Sequence, residues 1–206
     1  MRRLIGTILA CSLALASAPG HGGAQKYEPL SASVKASLHR AIADHAVPVL
    51  AFDDEREARA WLAAMSSRLA KRMPDRVARE EFLVTVHYEA KRAGLDPQLV
   101  LGLIQVESAF RKYAVSSAGA RGYMQVMPFW AKLIGAADHN LFHLRTNLRY
   151  GCTILRHYLD IEKGNLFRAL GRYNGSLGKA EYPNLVLRAW DGNWRYVPPA
   201  DRGTVQ

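Results

Sequence analysis

The sequence predicts a mainly α-helical chain. Three observations carry this. Helix-start signals recur along it, with Asp75 after Pro74, the Asp96-Pro97 pair and Met127-Pro128. Apolar residues recur at helical spacing, as in Val100, Leu103, Ile104. No stretch shows the strict apolar/polar alternation of a half-buried strand.

The chain has 206 residues, of which 49% are hydrophobic and 22% charged, enough for one core with a small appendage. It opens with Met1-Arg2-Arg3 and an uncharged run from Leu4 to Ala18, the pattern of a basic n-region and an apolar h-region. That run is short for a bilayer-spanning helix, so residues 1–24 are read as a secretory signal peptide. Pro19 is awkward after a cut at Ala18, whereas Gly22-Gly23-Ala24 supplies small residues, which places the cut near Ala24. Ile8-Leu9-Ala10-Cys11 resembles a bacterial lipoprotein box, and a lipid anchor at Cys11 is the alternative. Without Cys11, Cys152 is the only thiol, and its helical setting makes it a small buried hydrophobe rather than a nucleophile. The expected location is periplasmic or secreted, with an outer-membrane lipoprotein as the alternative. The formal charge is +10, or +8 once Arg2 and Arg3 leave with the leader, and a basic protein there meets polyanions such as cell wall, anionic lipid or nucleic acid.

Residues 25–73 are expected to form a helical N-terminal extension. Positions 31–47 look helical, Val47-Pro48 breaks the pattern, and 52–73 carries acids early and bases late, an order suited to the helix macrodipole. Ala60, Leu62, Ala63, Ala64, Leu69 and Ala70 are its expected apolar side. The main domain is expected at 74–195, followed by a tail at 196–206. Asp75 caps a helix reaching Ala93, which Gly94 ends, and a helix from Pro97 runs to about Ala109. Residues 111–123 read as loop. Helices follow from Pro128, over 145–163 closed by Gly164, over 165–172, and over 183–190.

Glu107 extends the Val100, Leu103, Ile104 stripe to position i+7, so a carboxyl continues a face that enters the core. Removal from water favours the neutral carboxyl, the state a general acid needs near neutral pH. An exposed glutamate at a fraying helix end fits the position equally well. Downstream, Gly119 and Gly122 permit a tight loop, the amide of Gln125 suits sugar hydroxyls and acetamido groups, and Tyr173-Asn174-Gly175 sets a phenol and an amide at a helix end.

In order and spacing, Glu107-Ser108, Ala114-Val115-Ser116 with Ala118-Gly119-Ala120-Arg121-Gly122, Met124-Gln125 with Met127-Pro128, and Tyr173-Asn174 with Gly175 resemble the soluble lytic transglycosylase (SLT) family, over roughly residues 80–195. Asn147, Gly151 and Leu159 also fit that family's intervening helix. The resemblance implies a goose-lysozyme-like fold and cleavage of the β-1,4 bond between N-acetylmuramic acid and N-acetylglucosamine. It implies Glu107 as the sole catalytic acid/base, Ser116 as a hydrogen-bonding partner near that glutamate or the substrate, and Met124 and Gln125 as lining of the glycan cleft. Tyr173 is implied as the tyrosine whose hydroxyl lies close to the carboxyl, Asn174 as a sugar contact, and Tyr182 as a weaker match to the last tyrosine motif. Ser117, Tyr123, Gly171, Arg172, Lys179 and Pro183 depart from the pattern.

Other carboxylates offer no second catalytic group. Asp96 reads as a helix cap, and Glu89, Asp138 and Glu181 as surface or capping residues. The expected chemistry needs no metal or cofactor; His139 and His143, at i and i+4, lack a third ligand nearby. The expected partner is the peptidoglycan glycan strand, with association with a cell-envelope machine left open. A non-catalytic wall-binding or assembly factor and a hydrolytic lysozyme are the competing readings. Nucleic acid is not an expected partner, because no basic recognition helix stands out.

Overall fold

The computed structural model describes residues 24–44 and 46–198. The expected leader through Gly23, with Cys11, and positions 199–206 of the expected tail lie outside the described residues. Eight α-helices follow in order: α1 Ala32–Ile42, α2 Glu55–Leu69, α3 Arg76–Arg92, α4 Pro97–Ser108, α5 Pro128–Ile134, α6 Leu144–Ile161, α7 Leu166–Asn174 and α8 Glu181–Ala189. A π-helical turn, Trp190–Trp194, extends α8. Among the described residues no strand forms, and only isolated bridges join Val115 to Arg121 and Arg121 to Val126. The mainly α expectation holds.

The capping chemistry sets the helix starts. Asp75 Oδ1 accepts from the Val77 and Ala78 amides, and Asp96 Oδ1 from those of Gln98 and Leu99. Gly94 and Gly175, at φ +65° and +74°, end α3 and α7 in the left-handed region that glycine enters freely.

α4 is the centre of the molecule. It packs against α3, α8 and the π-helical turn, and Leu99, Val100, Leu101, Leu103 and Ile104 are all buried. A single stripe therefore understates it: α4 is enclosed on nearly every side. Gly102 permits this, because a Cβ there would meet the Trp190 backbone nitrogen at 2.8 Å.

The first two helices share the same core. Leu38 and Ile42 of α1 and Trp61, Met65 and Leu69 of α2 join one apolar cluster with α3, α4, α6 and α7. On α2 the buried line is Trp61, Met65, Leu69 at i, i+4, i+8, whereas Ala63, expected on the apolar side, is exposed. The larger apolar surfaces of Trp and Met decide which side turns inward. Trp61 meets His87 edge-on and Phe52 stacks on the same ring at 4.6 Å. Burial holds that imidazole down to about 4, so it stays neutral.

Glu89 corrects an expectation. It is fully buried rather than a surface or capping residue, and Arg92, Arg145 and Arg149 all donate to its carboxylate at 2.9–3.3 Å. The same three arginines donate onward to the carbonyls of Ala41, Ala46 and Ile42, at the C-terminal end of α1. The network thus ties α1 to α3 and α6, with cations at the negative end of the α1 dipole.

Candidate active site

α4 delivers Glu107 from its last turn. Ala109 and Phe110 follow at φ 50° and 65°, so two consecutive non-glycine residues are left-handed immediately after the helix. Such positions persist only where packing enforces them, and Phe110 is locked between Phe82 and Trp194. The helix end is therefore fixed, and the frayed, exposed glutamate is ruled out: Glu107 is 5% exposed. Its Oε1 accepts from the Tyr182 hydroxyl at 2.5 Å, while buried Oε2 has no hydrogen-bond partner. Burial pushes the carboxyl up to about 8, against the opposing pull of the Tyr182 bond. At neutral pH the group is mostly protonated, with one oxygen unengaged.

Tyr182 reaches this position from α8. Pro183, which departs from the family pattern, sits in the first turn of that helix, where a missing N–H costs nothing. The tyrosine hydroxyl at the carboxyl is thus Tyr182, the weaker match. Tyr173, expected there, instead donates to the Met124 carbonyl at 2.7 Å. It remains near enough that burial and the Glu107 charge together hold its hydroxyl well above the usual range. Asn174, the last residue of α7, is buried beside it in the sequence.

The 114–127 segment forms a tight double turn. Ser116 Oγ accepts from the Ala120 amide at 3.1 Å, so the serine hydroxyl closes this loop, while the carboxyl's bond comes from Tyr182. Gln125, left-handed at φ 49°, turns its amide inward to the carbonyls of Ala114 and Gly122. The Met124 side chain is fully buried, against Gly151 and the Cys152 thiol. A Cβ on Gly151 would lie 2.4 Å from the Met124 sulfur, so only glycine seats it. Cys152 is buried with its thiol pushed upward, inert as expected.

Asn147 of α6 organises this loop. Its Oδ1 accepts from the Met124 amide, and its Nδ2 donates to the carbonyls of Arg121 and Leu141, all at 2.8 Å. Asn147→Ala leaves three backbone groups, two of them in buried bonds, without these partners and is expected to cost about 2–4 kcal/mol. Chemical denaturation of the purified variant measures this.

Asp96 caps α4 as expected, and Asp138 and Glu181 are exposed. His139 and His143 line one cavity of about 380 Å³ with His39 and Tyr150, and His139 Nδ1 is 2.7 Å from the Tyr150 hydroxyl. Among the described residues no group of three or more His, Cys, Asp or Glu is placed to hold a metal ion.

One element of the site lies outside every motif. Gln25, 3% exposed, donates to the Gln125 carbonyl at 3.0 Å and accepts from the Met127 amide at 2.9 Å. No local pattern announces a contact across a hundred residues.

Comparison with known proteins finds similarity over the central part of the chain. The model of the transglycosylase SLT domain matches residues 85–184. A transglycosylase of Enterobacteria phage PRD1 is 35% identical over 111 residues, covering 50% of this chain and 41% of the phage protein. Membrane-bound lytic murein transglycosylase C of Mannheimia succiniciproducens is 44% identical over 141 residues, 59% of this chain and 37% of that protein. Its counterpart in Actinobacillus pleuropneumoniae serotype 5b is 52% identical over 52 residues, 25% of this chain and 14% of that protein. The chain thus spans less than half the length of these relatives. A solved structure of an inactive mutant of the lytic transglycosylase Slt from Pseudomonas aeruginosa aligns with a TM-score of 0.42 at 17% identity, over 72% of this chain and 35% of that one. The chain thus resembles the transglycosylase SLT domain family through residues 85–184.

Proposed function

We propose that the protein is a peptidoglycan lytic transglycosylase that cleaves the β-1,4 bond between N-acetylmuramic acid and N-acetylglucosamine, with Glu107 as its single acid/base. The observation that carries this reading is a buried carboxyl, pushed up to about 8 by that burial, with one oxygen bonded by Tyr182 and the other unpartnered. Most glycosidases use two carboxyl groups; none of Glu89, Asp96, Asp138 and Glu181 is available as the second, being buried in an ion network, a helix cap, or exposed.

Glu107 donates its proton to the glycosidic oxygen as the C1–O4 bond breaks. The acetamido carbonyl oxygen of the muramyl sugar attacks C1 of its own ring and takes the place of a second carboxylate. The ionised Glu107 then removes the proton from the C6 hydroxyl, and O6 displaces the acetamide from C1. The product is a 1,6-anhydro sugar, Glu107 is protonated again, and no water is consumed. The Tyr182 hydroxyl favours the ionised carboxylate between the two steps. Residues 74–195 form the catalytic region in this reading, and the protein acts in the periplasm or as a secreted protein, or as an outer-membrane lipoprotein anchored at Cys11.

Mass spectrometry of products from purified sacculi tests the reading, because the anhydro product is lighter than a lysozyme product by one water. Hydrated products alone overturn the lytic reading in favour of hydrolysis; no cleavage overturns both in favour of a wall-binding factor. Tyr182→Phe removes the hydrogen bond that lowers the Glu107 carboxyl, so the alkaline limb of the pH–rate profile moves above about 8. The maximal rate is expected to fall about tenfold, the loss of one charge-assisted hydrogen bond.

A further inference from the structure

Residues 24–30 form no helix or strand, and Gln25 ties them to the backbone of the 125–127 segment. Gln25 bonds to the Gln125 carbonyl and the Met127 amide, the backbone that continues from Met124, whose own carbonyl is held by Tyr173. Glu28 also pairs with Arg172 near the end of α7, so the segment runs from the 125–127 backbone to that helix.

Its attachment is narrow. Lys26, Tyr27, Glu28 and Pro29 are exposed. Beyond Gln25, the hold consists of a Glu28–Arg172 ion pair at 3.0 Å, an edge-on contact of Tyr27 with Phe129, and partly buried Leu30. A partly exposed ion pair is worth little. The groups Gln25 covers are a backbone acceptor and a backbone donor, which a hexosamine's acetamido N–H and a neighbouring hydroxyl oxygen are equipped to bond. A buried carboxamide on an otherwise exposed segment is a plug with one anchor.

We infer that residues 25–28 are an autoinhibitory strap, with the Gln25 carboxamide occupying backbone groups that an N-acetylhexosamine chain must bond, so that glycan and strap compete for one place. This rests on the glycan-cleft reading above. The strap is displaced rather than cut: glycan binding exchanges the Gln25 hydrogen bonds for sugar hydrogen bonds at the same atoms.

The test compares the parent protein with Gln25→Ala and with Gln25→Glu, which removes the donor to the Gln125 carbonyl while keeping the side-chain length. Calorimetric titration with tri-N-acetylchitotriose reads the competition, thermal unfolding reads structural damage, and anhydromuropeptide release from sacculi reads the underlying function. The strap predicts that Gln25→Ala binds the trisaccharide about tenfold more tightly, the loss of two competing hydrogen bonds, and that Gln25→Glu, which loses one, binds more tightly by a smaller factor. It also predicts faster release from sacculi at subsaturating substrate. Unchanged or weaker trisaccharide binding overturns the strap, including where Tm falls, since that is the signature of simple packing. Tighter binding with no anhydro product from any of the three proteins supports the strap and overturns the lytic reading instead.

Discussion

Glu107→Gln is expected to abolish release of anhydromuropeptides, with a loss of about a thousandfold or more, the range for removing a general acid. The amide keeps the Tyr182 bond through its oxygen but has no proton to give to a leaving oxygen. The same substitution is expected to stabilise the fold at alkaline pH. The Glu107 carboxyl lies at about 8 in the folded chain against 4.5 for a free glutamate. The raised value means that the unfolded chain loses this proton first. Stability therefore falls as pH climbs from about 4.5 through about 8 and levels off beyond. Glutamine lacks that slope. The difference in Tm between variant and parent should grow in the variant's favour across that window. Thermal scans from pH 5 to 9, run beside the sacculus assay, measure both effects. Loss of activity together with a gain in Tm distinguishes a catalytic acid from a structural residue, whose loss lowers both.

The largest stability effect is expected at Glu89. Its carboxylate is fully buried and bonded by Arg92, Arg145 and Arg149. Glu89→Ala removes the buried anion shared by three guanidinium groups and leaves them the more peripheral Asp44, 3.7 Å from Arg92 and 3.9 Å from Arg145. Breaking a buried ion network from one side costs about 3–5 kcal/mol, a large part of the 5–15 kcal/mol typical of a whole domain. Denaturant unfolding measures it. Because the same arginines hold the carbonyls of Ala41, Ile42 and Ala46, the loss should also loosen the end of α1, read as faster proteolysis around residues 42–47.

What the sequence disclosed follows from the range of the interactions involved. The starts of α3 and α4 were legible because Asp75 and Asp96 act on amides two and three residues away. The burial of Glu107 was legible as an alternative, since spacing places it on an apolar face but does not say what covers that face. Family motifs brought Tyr173 and Tyr182 to the neighbourhood. Which hydroxyl meets the carboxyl depends on how α7 and α8 pack, and the structure gives it to Tyr182. Glu89 was misread because Lys91 and Arg92 beside it look like a solvated helix end; its arginine partners at 145 and 149 lie on another helix. Ala63 was misplaced on α2 because small apolar residues satisfy a periodic pattern without deciding it. Gln25 left no local signal at all, as its partners are Gln125 and Met127.

The central claim is that one buried carboxyl is held protonated at neutral pH and then cycles through its ionised form. Carbon-13 NMR titration of the glutamate side-chain carboxyls, with the Glu107 signal assigned by its absence from Glu107→Gln, tests this directly. The account predicts a midpoint for Glu107 near 8. A midpoint near 4.5, the ordinary glutamate value, would contradict it, because the group would then be ionised under the conditions where it must first give up a proton.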